Sequence, residues 1–169
     1  MPFPTQSEKG PMTRTILNTA WPAIRERMRG VALPDSRFDL DLDRFIPGFA
    51  GVEAATRRVV ERPEYRAART LFVTPDNSMQ PLRQQALAAG KTLIVPSYGL
   101  RRGFLKVALA PDEAALALYA SWGDGIEHFG VPVAVEALST LGPIDLVLAG
   151  AAAVTINGLR FGMGHRYLD

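Results

Sequence analysis

Apolar residues first recur at helical spacing at Ile16, Leu17, Ala20, Ile24 and Met28, which predicts a helix over about 14–29. Pro22 falls inside this span and is expected to mark a restart of the helix at its first turn. Residues 30–48 read as loop, with Pro34, Asp35, Ser36 and Pro47 among them. Within that stretch the alternation of Asp39, Leu40, Asp41, Leu42 and Asp43 suits an edge strand. A second helix is predicted over 51–62, is interrupted by Pro63 and continues over 64–69. A short apolar strand at 70–74 precedes a helix at 80–89 that Gly90 stops, and a second strand follows at 92–96. Two apolar strands bracketing one helix is the pattern of a right-handed parallel crossover. Further strands are expected at 104–108, 131–135 and 144–149, the last of them buried, with a helix over 112–122 behind Pro111. The chain then predicts a hairpin, 151–156 and 159–161, joined through Asn157-Gly158. Strands alternating with helices make the fold class α/β, expected as a three-layer α/β/α sandwich around a largely parallel sheet.

Composition narrows this picture. A chain of 169 residues, 47% hydrophobic and 21% charged, suits one soluble domain over 13–169 behind a loose tail of about twelve residues. The absence of cysteine removes disulfides, thiolate metal sites and a cysteine nucleophile. With only His128 and His165, a zinc site built on several histidines is also excluded. The longest apolar run, 146–156, falls short of the about 20 residues that span a bilayer. The tail has no apolar core and does not resemble a signal peptide, so a cytoplasmic location is expected. The Asp39–Asp43 stretch lacks the glycine and closing glutamate of a calcium-binding loop. Basic residues are mostly arginine, 16 against 3 lysines, but only Arg57-Arg58 and Arg101-Arg102 are adjacent, which gives nucleic-acid binding no support.

In α/β folds, ligands bind beyond the carboxyl ends of the strands. Three segments fall there: 74–80, 96–103 and 162–167. The third is chemically the richest. Gly162 and Gly164 let backbone amides approach an anion, Arg160 and Arg166 can neutralise phosphate, and Asp169 can hold Mg²⁺. The same glycines also suit a plain tight turn. In the first segment, Asn77 or Ser78 is placed to cap the following helix, with Pro81 in its first turn. Ser97 has no histidine–aspartate company in the sequence, which speaks against a serine hydrolase. Trp21 and Trp122 read most simply as core or rim residues.

The order of these segments resembles the 5-formyltetrahydrofolate cyclo-ligase (methenyltetrahydrofolate synthetase) family. Within it, the chain is most similar to the divergent branch of cyclo-ligase-like and synthetase domain-containing proteins. The resemblance runs from about Ala23 to Asp169. It rests on AIRERM at 23–28, FIPGFAGVEAA at 45–55, PDNSMQPLRQQALAAGKTLIVPSYGLRRGF at 75–104, FGVPVAVEAL at 129–138 and GPIDLVLAGAAAVTINGLRFGMG at 142–164. It implies a ribose-phosphate isomerase/CoA-transferase-like fold and an ATP- and Mg²⁺-dependent ligase. In that reaction the formyl oxygen of 5-formyltetrahydrofolate takes the γ-phosphoryl group of ATP. Ring closure then expels phosphate and leaves 5,10-methenyltetrahydrofolate.

By position, Arg25 matches the family's N-terminal basic motif. Arg160, Gly162, Gly164, Tyr167 and Asp169 match its glycine-rich phosphate and magnesium motif, with Asp169 on Mg²⁺. Gln80 and Arg83 fall in the substrate-facing segment. Trp21 stands where the family usually has lysine, and Arg166 where it has a third glycine, so Arg166 joins the expected phosphate contacts. The expected partners are therefore ATP and a reduced folate, with no membrane or nucleic acid. The chain is also expected to lack the family's C-terminal helix and strands. Two readings follow: a cyclo-ligase, or a diverged relative without that activity that binds a nucleotide or a phosphorylated or pterin-like ligand. A scaffold role is a third, with no RNA-binding motif to carry it.

Overall fold

The structure, a computed structural model, describes residues 11–34, 41–42, 46–97, 100–158 and 160–162, the first eight of these by their backbone alone. The chain divides into two compact units, Gly51–Gly150 on the one hand and Met1–Ala50 with Ala151–Asp169 on the other.

The Gly51–Gly150 unit opens with helices α2 (Val52–Val60) and α3 (Pro63–Ala67), divided at the proline as predicted. Strand β1 (Thr70–Val73), helix α4 (Gln80–Ala88) and strand β2 (Thr92–Pro96) follow. β1 and β2 pair in parallel, Leu71 opposite Leu93, so the predicted crossover forms. Strand β3 (Phe104–Val107), helices α5 (Ala117–Ala120) and α6 (Gly123–Phe129), and strands β4 (Val131–Val133) and β5 (Leu146–Leu148) complete the unit. The sheet order is β4-β3-β2-β1-β5.

The sheet is mixed rather than largely parallel. β5 and β2 run parallel to β1, but β3 is antiparallel to β2, and β4 to β3. The short 97–103 connection explains the reversal at β3. A parallel return needs a crossover of about a dozen residues or more, and this loop is too short to make one.

Alternation along the strands sends Leu71, Val73, Leu93, Val95, Leu105 and Val107 into one core. Leu82, Ala86 and Leu87 of α4, Ala117 and Ala120 of α5, and Ile126 of α6 close over them. Each of the larger side chains contributes at most about 1.5–3 kcal/mol by leaving water. Phe72 and Ile94, on the opposite face, are also buried, and Phe72 meets Phe104 edge-on at 6.0 Å.

Several expectations change in detail. The 112–122 segment is a 3₁₀ stretch, Pro111–Leu116, followed by the single turn of α5. Helix α6 was not predicted, because GDGIEHF begins with two glycines that weaken any helical signal. Among the described residues β5 is an edge strand and not a fully buried one: it pairs with β1 alone there, and Val147 is half-exposed.

In the other unit, α1 (Pro11–Arg29) is one continuous helix with Pro22 inside it, not a helix restarted there. The proline forgoes one backbone hydrogen bond, a loss the helix absorbs without ending. After α1 the backbone folds back on itself through an Ala32–Phe49 bridge, with Leu33 N–H donating to Gly48 O and Ala50 N–H to Val31 O, both at 2.8 Å. Most of the Asp39–Asp43 alternation, and residues 1–10, lie outside the described residues.

Strands β6 (Ala153–Val154) and β7 (Arg160–Phe161) form the predicted hairpin, shorter than expected. Its turn is closed by Gly158 N–H donating to Thr155 O at 2.9 Å. Gly158 has φ 81°, while Asn157 keeps a negative φ. The Asn-Gly pair therefore supplies one left-handed residue to a longer loop, not the two of a tight two-residue turn. Among the described residues no helix is long and apolar enough to cross a membrane.

Candidate functional site

The expected site residues fall into two groups, one in each unit. Arg25, Arg160 and Gly162 belong to the unit holding α1 and the hairpin. Gln80 and Arg83 belong to Gly51–Gly150. Gly164, Arg166, Tyr167 and Asp169 lie outside the described residues, as does His165.

In the first group, helical geometry sets Arg25 one turn beyond Trp21 on α1. The guanidinium carbon of Arg25 lies 5.7 Å from the centroid of the Trp21 ring. The same ring meets Phe161 edge-to-face, with centroids 6.2 Å apart and planes at 88°. Trp21 thus links Arg25 to strand β7. Phe161 is buried and turned towards α1, so alternation puts its neighbours Arg160 and Gly162 on the opposite face of the strand. Among the described residues, an added Cβ at Gly162 would meet nothing within 4 Å.

In the second group, Arg83 is 0% exposed. Its Nε donates to Ser121 O at 2.9 Å, and one Nη donates to Thr74 O at 2.7 Å and Asp76 O at 3.0 Å. Gln80, also buried, donates from Nε2 to Ser121 Oγ at 2.7 Å. Both side chains serve the framework visible here: they pin the loop that leaves β1 to the end of α5.

That loop lies at the carboxyl end of β1, where the chain crosses to β2 on one side while β5 flanks the other. This is the switch point at which open α/β sheets bind ligands. Gly150, just beyond β5, donates its N–H to Thr74 Oγ1 at 2.9 Å. A Cβ on Gly150 would stand 2.7 Å from Asp76 Oδ2 and 3.0 Å from Ser78 Oγ, so a larger residue there would require these side chains to shift. Ser78 does not cap the helix as expected. A 3₁₀ turn, Asn77–Met79, leads into α4 without a side-chain cap, and Ser78 Oγ is buried with no hydrogen-bond partner among the described residues. Gly150 and the Asp76–Ser78 contact escaped the sequence reading. The only hint was a glycine directly after an apolar strand.

The remaining sequence candidates are structural. Ser97 accepts from Arg102 N–H at 2.9 Å and donates to Gly103 O at 3.0 Å, shaping the β2–β3 loop. Arg102 pairs with Glu127. The titratable groups with displaced equilibria are also structural. Burial pushes the Tyr65 phenol up to about 12. The Thr70 and Arg69 amides hold the Asp145 carboxyl below its usual range.

A profile of the 5-formyltetrahydrofolate cyclo-ligase family matches residues 19–169. The chain belongs to this family. Among curated proteins it is similar to the methenyltetrahydrofolate synthase domain-containing proteins of Mus musculus, 33% identical over 73% of this chain, and of Danio rerio, 33% identical over the same share. It spans about a third of the length of those relatives, 33% and 32% respectively. It is also similar to a probable 5-formyltetrahydrofolate cyclo-ligase of Caenorhabditis elegans, 26% identical over 69% of this chain and 59% of that protein. No solved structure matches. For a cyclo-ligase family chain, the arrangement that bears most on chemistry is Arg25 carried to the strand that leads into the glycine-rich motif.

Proposed function

We propose that this chain is an ATP-dependent cyclo-ligase acting on 5-formyltetrahydrofolate or a close variant of it. The family match over 19–169 supports the reaction class. The observation that carries the reading is the packing of Arg25 through Trp21 onto Phe161 of β7, the strand that also carries Arg160 and leads to Gly162. Arginine side chains and glycine main chain suit the phosphates of ATP.

In the proposed reaction the formyl oxygen attacks the γ-phosphorus and ADP departs. The neighbouring amine nitrogen then attacks the activated formyl carbon, closes the ring and expels inorganic phosphate. No protein nucleophile is required. The protein positions two substrates and offsets charge that builds on the transferring phosphoryl group. Arg25 and Arg160 take that second role, joined in this proposal by Gly162, Gly164, Arg166 and Tyr167. The reduced folate is assigned to the β1–α4 loop that Gln80 and Arg83 hold in place.

Mg²⁺ would screen phosphate charge, with Asp169 as its proposed ligand. Among the described residues no group of three acidic or histidine side chains gathers to hold a metal.

The test mixes the protein with 5-formyltetrahydrofolate and Mg-ATP, following methenyl product by absorbance and ADP by a coupled assay. Equal formation of both is expected. ADP without methenyl product would point to another phosphoryl acceptor. If neither product forms, the proposal is overturned. A diverged nucleotide-binding relative is the second reading, favoured by the tryptophan at position 21 and the arginine at position 166.

A further inference from the structure

We infer that Trp21 is a positioning residue, holding the Arg25 guanidinium in place for a phosphate-bearing ligand. The inference rests on the reading of Arg25 as a phosphate-side residue. Trp21 is only partly buried, and its ring meets both Phe161 and Arg25. Phe161 presents its edge to the ring, and Arg25 lies over the ring itself. Arginine is a long side chain with many rotamers, and on an isolated helix it would sweep a wide arc.

A guanidinium over an aromatic face is held by cation–π attraction and can keep N–H donors for an anion. Phe161 in turn fixes the ring to β7, whose next residue is Gly162. This aromatic contact thereby helps set the reach and heading of Arg25 relative to the strand that leads to Gly162.

A packing residue and a positioning residue predict different variants. In the full chain carrying Trp122→Phe, Trp21 is the sole tryptophan. Arg25→Met in this background is expected to change the intensity and maximum of Trp21 emission. Trp21→Leu keeps apolar bulk but removes the aromatic face. By calorimetry it is expected to weaken binding of ATP and of tripolyphosphate about five- to tenfold while the melting temperature stays close to that of the parent. Trp21→Phe is expected to recover most of that loss.

Wild-type affinity in Trp21→Leu, or unchanged emission in Arg25→Met, would overturn the inference. If Trp21→Leu fails to fold, the comparison of Trp21→Phe with Trp21→His, a smaller ring of weaker π character, decides in its place: equal affinities would overturn the inference. A parent protein that binds neither probe would overturn the nucleotide reading and the role of Trp21 with it. The emission arm would then still report whether the stack exists, which separates the two failures.

Discussion

Arg83 owes its importance to where it points. A guanidinium that is 0% exposed, with hydrogen bonds to the carbonyls of Thr74, Asp76 and Ser121, satisfies acceptors that water cannot reach. Arg83→Met would strand those carbonyls, and a loss of about 3 kcal/mol is expected in denaturant unfolding. Arg83→Lys should recover little, because a single ammonium cannot cover carbonyls spread around a planar fork. A variant as stable as the parent would show that the loop holds its shape without the clamp. The sequence flagged Arg83 and Gln80 by position. It could not reveal that their polar atoms turn inward to main-chain groups, since a buried and a ligand-facing arginine look alike in one dimension.

Among the elements, the α5–α6 corner is the most tightly constrained. Gly125 packs so closely on the turn before it that a Cβ there would overlap the Tyr119 carbonyl oxygen and stand 2.9 Å from Ala120 Cα. Alanine normally favours a helix over glycine by about 1 kcal/mol. Here Gly125→Ala should destabilise instead, by about 1–3 kcal/mol, because backbone must move to admit the methyl group. A thermal melt several degrees below the parent is the expected result, and an unchanged or raised melting temperature would refute the close approach. The sheet shows the same dependence on local constraint. The β1–α4–β2 crossover was legible because strand, helix and strand each carry their own period. The antiparallel turn into β3 followed from loop length, and α6 was hidden by its own glycines.

Within the Gly51–Gly150 unit, Asp145 joins parts of the chain distant in sequence through two hydrogen bonds. Its Oδ2 accepts from the Arg69 and Thr70 amides at 2.7 and 2.8 Å, fixing the segment that enters β5 to the start of β1. The Thr70 amide, then that of Arg69, lowers the carboxyl's proton affinity in the folded state. A depressed folded-state pKa contributes stability that is fully present above the unfolded value. That contribution disappears as the pH falls through the folded one. The parent should therefore melt above Asp145→Asn at neutral pH, with the gap narrowing as the pH drops below about 4. A gap that is constant with pH would show that ionisation of Asp145 does not contribute to stability.

The sequence alone determined the α/β class, the parallel crossover, the hairpin at Asn157-Gly158 and the family. Each is written in local periodicity, turn chemistry or motif order, which survive in one dimension. Tertiary structure decided the rest. It set the antiparallel half of the sheet, the inward turn of Arg83 and Gln80, the meeting of Gly150 with Asp76 and Ser78, and the stacking of Arg25 on Trp21 against Phe161. These depend on which residues far apart in sequence become neighbours, and that is fixed only when strands pair and apolar faces close over one core.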